Sequence, residues 1–261
     1  MDLDLTGKHA LVCGASEGIG RAAALELATL GAHVTVLARR EDALRAVVAS
    51  LPHTRDQAHG LLAVDLADAE ALADAARALA TRAPVHILVN NSGGPPGGPA
   101  HTAPATAYLQ AFQTHLIAAQ TLVQALLPGM HAARWGRIVN VISTSVYEPI
   151  PNLGVSNTIR GAVASWAKTL SRELGGDGIT VNNVLPGYTR TRRLEQILAE
   201  RSAATGKSKE DVAQAMLASV PAGRFAEAHE PASLIAFLCS PAAAYINGQS
   251  IAVDGGRMQS I

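Results

Sequence analysis

Short runs of apolar residues, several rich in Val, Ile and Leu, recur along the chain at 9–13, 33–38, 61–65, 85–90, 137–142, 179–184 and 250–253. Each is too short for a core helix and is followed by a longer stretch in which apolar residues return every three or four positions or alanine dominates. Runs of near-continuous hydrophobicity suit strands covered on both faces, and the intervening 3.6-residue period suits helices. The pattern therefore predicts an α/β protein: a single-domain, doubly wound parallel sheet of about seven strands with helices on both faces, spanning 1–261. Two regions break the alternation. Residues 91–104 carry Ser-Gly-Gly-Pro-Pro-Gly-Gly-Pro, a composition that opposes both helix and strand. Residues 188–225 mix charged helical residues with a Gly206-Lys207-Ser208 turn and are expected to form a lid over whatever the sheet binds.

Composition narrows the function classes. With 48% hydrophobic and 16% charged residues, the 261-residue chain has ample core material and is not a disordered segment. Lys plus Arg and Asp plus Glu both count 21, so no basic excess exists to neutralise phosphates along a polynucleotide or to face an anionic membrane. Neither nucleic acid nor a membrane is expected as a partner, and the expected ligand is a small molecule. Cys13 and Cys239 sit in apolar runs and read as core residues, and no cluster has metal-ligand spacing. The first residues, Met1-Asp2-Leu3-Asp4, lack the basic start of a secretory leader, and no apolar run approaches the roughly 18 residues of a membrane span. A cytoplasmic location is the expectation.

The chemistry begins directly after the first run. Gly14-Ala15-Ser16-Glu17-Gly18-Ile19-Gly20 separates a strand from the helix over 21–30. Glycines there permit a sharp turn and close approach of a diphosphate to backbone amides, and the helix dipole presents its positive end to that charge. At the end of the second strand, where an acidic residue would hold the ribose hydroxyl of NAD(H), the chain has Arg39-Arg40. A guanidinium suits a 2′-phosphate, so NADP(H) is favoured over NAD(H).

Together these motifs resemble the short-chain dehydrogenase/reductase family, and the resemblance runs over nearly the whole chain. It continues through Asp65 and Leu66 after the third strand, Asn90-Asn91-Ser92-Gly93, the strand ending at Ser143, Pro186-Gly187 with Thr189 and Thr191, and Val253-Asp254-Gly255-Gly256. The resemblance implies a nicotinamide cofactor held by Gly14, Ser16, Glu17, Gly18, Ile19, Gly20, Arg39, Arg40, Asp65, Leu66, Asn91, Ser92, Gly93, Arg160, Pro186, Gly187, Thr189 and Thr191. It also implies a homotetramer or homodimer packed through the helices at 116–127 and 162–174.

The catalytic centre departs from the family pattern. The family's Tyr-x-x-x-Lys pair is placed by its distance from the serine and from the Pro-Gly pair. Counting 13 residues on from Ser143 and 30 back from Pro186 reaches the same position, Ser156, and the lysine position becomes Arg160. The family's helix asparagine corresponds to His115. A phenol whose pKa is lowered by a neighbouring ammonium can exchange the proton that accompanies hydride transfer, whereas an aliphatic alcohol is not brought into that range so readily. Arg160 stays charged and can hold a ribose but not donate a proton. His115 and Tyr147 are the candidate replacements for the acid, and Ser143 keeps its place against a substrate carbonyl. The reading is an atypical NADP(H)-dependent oxidoreductase acting on a carbonyl or alcohol, similar to 3-oxoacyl reductases. A nucleotide-binding sensor or partner subunit without turnover, and a lyase or isomerase using the same pocket, stand as alternatives.

Overall fold

The computed structural model describes residues 1–260. Seven parallel strands form one sheet: β1 (His9–Cys13), β2 (His33–Ala38), β3 (Gly60–Ala63), β4 (Ile87–Asn90), β5 (Gly136–Val141), β6 (Ile179–Pro186) and β7 (Ser250–Val253). Their order is β3-β2-β1-β4-β5-β6-β7, so the chain reverses its direction of travel across the sheet between β1 and β4. In such sheets the crevice outside the strand C-termini at that reversal is where ligands bind.

Helices cover both faces. On one, α1 (Gly18–Thr29), α2 (Glu41–Ser50) and α9 (His229–Cys239) contribute to a core with Leu27, Val34, Val36, Ile235 and Leu238, all fully buried. On the other, α3 (Ala69–Arg82), α4 (Ala105–Phe112), α5 (Ala118–Ala133) and α6 (Gly154–Leu174) surround the sheet, and Leu72, Leu122, Leu126 and Ile138 fill that side. Five residues wound as π-helix, Gln113–Ile117, join α4 to α5 into one run of 29 residues, Ala105–Ala133. Such widened turns insert a residue and re-aim side chains, often at functional sites. Here the widened turn carries His115.

The strand expectations hold with small shifts in bounds: β3 ends before Asp65, β4 begins after Val85, and β6 runs on to Pro186. Two expectations change, and the helical residues and Gly206 turn expected in 188–225 are found. The Gly-Pro segment is not wholly irregular, because Ala100–Thr102 make a 3-10 turn and Gly98 bridges to Leu153. The region beyond Tyr188 is mostly helical: α7 (Arg192–Thr205) stops at Gly206, whose φ is +70°, and Ser208 accepts from Asp211 N to start α8 (Lys209–Leu217). Leu194, Leu198, Val212, Met216 and Phe225 bury themselves in a small cluster of their own there. Finally, Ala105–Ala133 is long and apolar enough by length and composition to span a bilayer, contrary to the reading of the linear sequence. Its α5 part packs beside α3 over the sheet.

Candidate active site

The glycine loop takes the shape its composition requires. Gly14 and Gly18 both have φ of +58°, a region that side chains other than glycine rarely enter. A Cβ on Gly20 would lie 2.4 Å from the Gly14 carbonyl oxygen, so only glycine lets the start of α1 approach the loop. Asn91 supports the same turn from β4, its Nδ2 donating to the Cys13 and Gly14 carbonyls at 3.3 Å. No side chain caps the N-terminus of α1. Its first amides, with the positive end of the helix dipole behind them, are left without side-chain partners, the arrangement that favours an anion at a helix N-terminus.

Arg39 and Arg40 lie at the end of β2, both exposed. Arg40 Nη2 is 3.3 Å from the Glu17 carboxylate, and the same carboxylate is 3.5 Å from Arg192 Nη1 at the start of α7. Arg39 is the freer of the two, with Asp65 at 3.9 Å as its nearest carboxylate partner. Thr191 Cγ2 would be 3.2 Å from a Cβ on Gly18, so the segment leading from Pro186-Gly187 through Thr189 and Thr191 folds back over the loop. Thr191 Oγ1 donates to the Thr189 carbonyl and accepts from Leu194 N, which starts α7 at that point.

Beside the loop is a small recess lined by residues that include Leu66, Asn90, Asn91, Ser92, His115, Asn140, Arg160 and Val163. Ser92 Oγ and His115 Nδ1 are 2.6 Å apart. Arg160 is 8% exposed, and its Nη1 donates to the Val141 carbonyl at 2.7 Å. Burial, reinforced by the Arg160 charge, pushes His115 down to about 3, so its imidazole is neutral at physiological pH. Burial, with help from the nearby Arg193 charge, lowers Arg160 to about 10, which leaves it cationic. Beneath the recess the strand register aligns four polar side chains across the sheet. Asn90 donates to Asn140 at 2.8 Å, Asn140 to Asn183 at 3.0 Å, and Asn183 to Ser250 at 3.0 Å.

The structure thus brings Ser92, His115 and Arg160 to one recess but does not bring the other acid candidate with them. Tyr147 is exposed and its hydroxyl donates to the Ser250 carbonyl at 3.3 Å, along the outside of the sheet. His115 lies in the recess, where burial holds its imidazole neutral. Ser143 Oγ accepts from Ser145 N and starts a 3-10 turn after β5, while Ser156 is half-buried in the first turn of α6. Sequence reasoning missed the pairing of Ser92 with His115, because the two lie 23 residues apart and meet only through the π-helical turn. Arg193, which is not among the expected site residues, donates from Nη2 to the Pro95 carbonyl at 2.8 Å.

A doubly wound sheet with a glycine cradle at its reversal point is the architecture of a dinucleotide-dependent oxidoreductase. The family model described as Enoyl-(Acyl carrier protein) reductase matches residues 14–257. The 3-oxoacyl-[acyl-carrier-protein] reductase FabG of Vibrio cholerae is 35% identical, over 97% of this chain and 98% of that protein. L-sorbose reductase from Gluconobacter frateurii, solved with NADPH and L-sorbose, superposes with a TM-score of 0.93 at 30% identity, covering 100% of both chains. A putative NAD(P)-dependent gluconate 5-dehydrogenase from Beutenbergia cavernae, solved with bound NADP, gives 0.89 at 32% identity over 100% of both. The chain belongs to the short-chain dehydrogenase/reductase family and is an oxidoreductase of that type.

Proposed function

We propose that the protein is an atypical NADP(H)-dependent carbonyl reductase in which Ser92 and His115 handle the proton that a phenol at position 156 would otherwise handle. The observation that carries this reading is the 2.6 Å contact between Ser92 Oγ and His115 Nδ1 in a recess shared with the Arg160 guanidinium. The bound nicotinamide supplies the hydride. The glycine cradle and the uncapped α1 amides fit its diphosphate, and Arg39 fits the 2′-phosphate. L-sorbose reductase, described with NADPH, and the dehydrogenase described with NADP support the same cofactor.

Arg160 keeps the recess electropositive, which favours an oxygen that gains negative charge during reduction without requiring direct contact. The Ser92 hydroxyl donates its proton to that oxygen. Neutral imidazole replaces it from the Nδ1–H tautomer while its other nitrogen takes a proton from solvent water, so His115 relays a proton without becoming a stable cation. Small organic ketones or 3-oxo compounds are the substrate class, as with the sugar and acyl-carrier reductases it resembles. Residues 188–225 act as the lid, and the homo-oligomer expected from the family would pack through α5 and α6.

The test is steady-state reduction of a ketone panel followed at the nicotinamide absorbance. Ser92→Ala and His115→Ala are each expected to lower kcat at least about tenfold while NADPH still binds. With His115 near 3, no acid limb from this residue should appear above pH 5. Undiminished turnover in both variants rejects the relay. Binding of NADPH by the wild type with no turnover on any ketone would instead favour the non-catalytic reading, which the serine at position 156 makes chemically reasonable.

A further inference from the structure

The arginines at 160, 190, 192 and 193 sort by what they touch. Arg190 Nε lies 3.0 Å from Glu227 and Arg192 Nη1 lies 3.5 Å from Glu17, both arginine side chains being exposed. Arg160 and Arg193 have no carboxylate within 4.0 Å among the described residues. Each is anchored through one nitrogen to a backbone carbonyl, Arg160 to Val141 and Arg193 to Pro95. Both turn towards Gly94. A Cβ built there would lie 3.7 Å from Arg193 Nε, 3.9 Å from Arg193 Nη2 and 4.0 Å from Arg160 Nη2.

A cation that is 8% exposed is costly unless paired, and a second cation beside it raises the cost. Proteins keep such pairs where a ligand supplies the counter-charge, and the planar guanidinium fork suits compact oxyanions in particular. On the cofactor reading proposed above, the uncapped α1 amides would meet the diphosphate and Arg39 the 2′-phosphate. We infer that Arg160 and Arg193, converging at Gly94, bind a carboxylate or phosphate group of the substrate, so that the substrates are anionic ketones such as oxo acids or ketone phosphates. The inference rests on the reductase reading for the word ketone, but the anion site itself does not require turnover.

Two matched pairs test it: acetoacetate against methyl acetoacetate, and dihydroxyacetone phosphate against dihydroxyacetone. The wild type should favour the charged member of at least one pair in kcat/KM, and which pair it favours tells carboxylate from phosphate. Arg193→Gln should lower that preference at least about tenfold, and Arg193→Lys, which keeps the charge, should recover part of it. A preference absent from the wild type, or intact in Arg193→Gln, overturns the inference. So does a tenfold loss of NADPH affinity in Arg193→Gln with the preference unchanged, since the oxyanion would then be the cofactor's own. If no ketone is turned over, malonate and inorganic phosphate, with malonamide as neutral control, are titrated calorimetrically into the NADP⁺ complex. Binding of either anion that weakens about tenfold in Arg193→Gln sustains the site although the reductase reading fails, and absence of binding rejects it.

Discussion

At the scale of single residues, what a charged side chain does is decided by its partner. Arg39 and Arg40 are adjacent and chemically identical, yet Arg40 faces Glu17 at 3.3 Å while Arg39 has only Asp65 at 3.9 Å. Arg39 is therefore the better placed to meet a 2′-phosphate. Arg39→Ala should weaken NADPH binding by about 1.5–3 kcal/mol, the usual worth of a hydrogen bond to a charged group, and leave NADH nearly unaffected. Fluorescence titration with both nucleotides checks this, and equal losses would contradict it. The same principle separates the two acid candidates. His115 and Tyr147 both carry a group able to move a proton, but only His115 lies in the recess, and there burial removes its charge.

At the scale of elements, helix α6 sets Ser156 and Arg160 one turn apart, the spacing at which side chains share a face. If the missing phenol is the main catalytic deficit, Ser156→Tyr combined with Arg160→Lys should raise turnover of generic neutral ketones by about 10²–10⁴, the usual worth of general acid catalysis. Arg160→Lys alone should raise it little, because lysine without the phenol has no pKa to lower. Rates at the nicotinamide absorbance decide, and a double variant no faster than the single one refutes the idea. Much of this level was legible beforehand. The glycine loop, the strands and the positions of Ser156 and Arg160 follow from local composition and spacing, since period and φ preference are local properties. The asparagine ladder was not. Asn90, Asn140 and Asn183 align only because the register pairs Asn90 with Asn140 and Asn140 with Asn183, and register is a relation between strands 43 to 50 residues apart.

At the scale of the whole molecule, buried histidines make stability depend on pH. His115 is lowered from 6.5 to about 3 and His9 from 6.5 to about 4, both chiefly by burial. In each the unfolded chain binds the proton more readily than the folded one, so this stability is present above 6.5 and is lost as the pH falls towards the folded value. The wild type should lose stability between pH 6.5 and pH 4, with His115 accounting for about 3 kcal/mol of it. Urea unfolding across that range should show a shallower fall in His115→Asn, and equal slopes would contradict the burial argument.

The sequence by itself determined the doubly wound sheet and the glycine turn after its first strand, and it set Ser156 and Arg160 at the spacing the family gives its Tyr-x-x-x-Lys pair. These depend on hydrophobic period, on glycine's conformational range and on counted spacing, all of which are carried along the chain. Only the tertiary structure decided that Ser92 meets His115 at 2.6 Å, that Tyr147 points away, and that Arg160 and Arg193 converge at Gly94 while Arg190 and Arg192 pair with carboxylates. Side-chain pairing and desolvation depend on which distant segments the fold packs together, and the charge state of a buried group follows from that packing and not from its residue type.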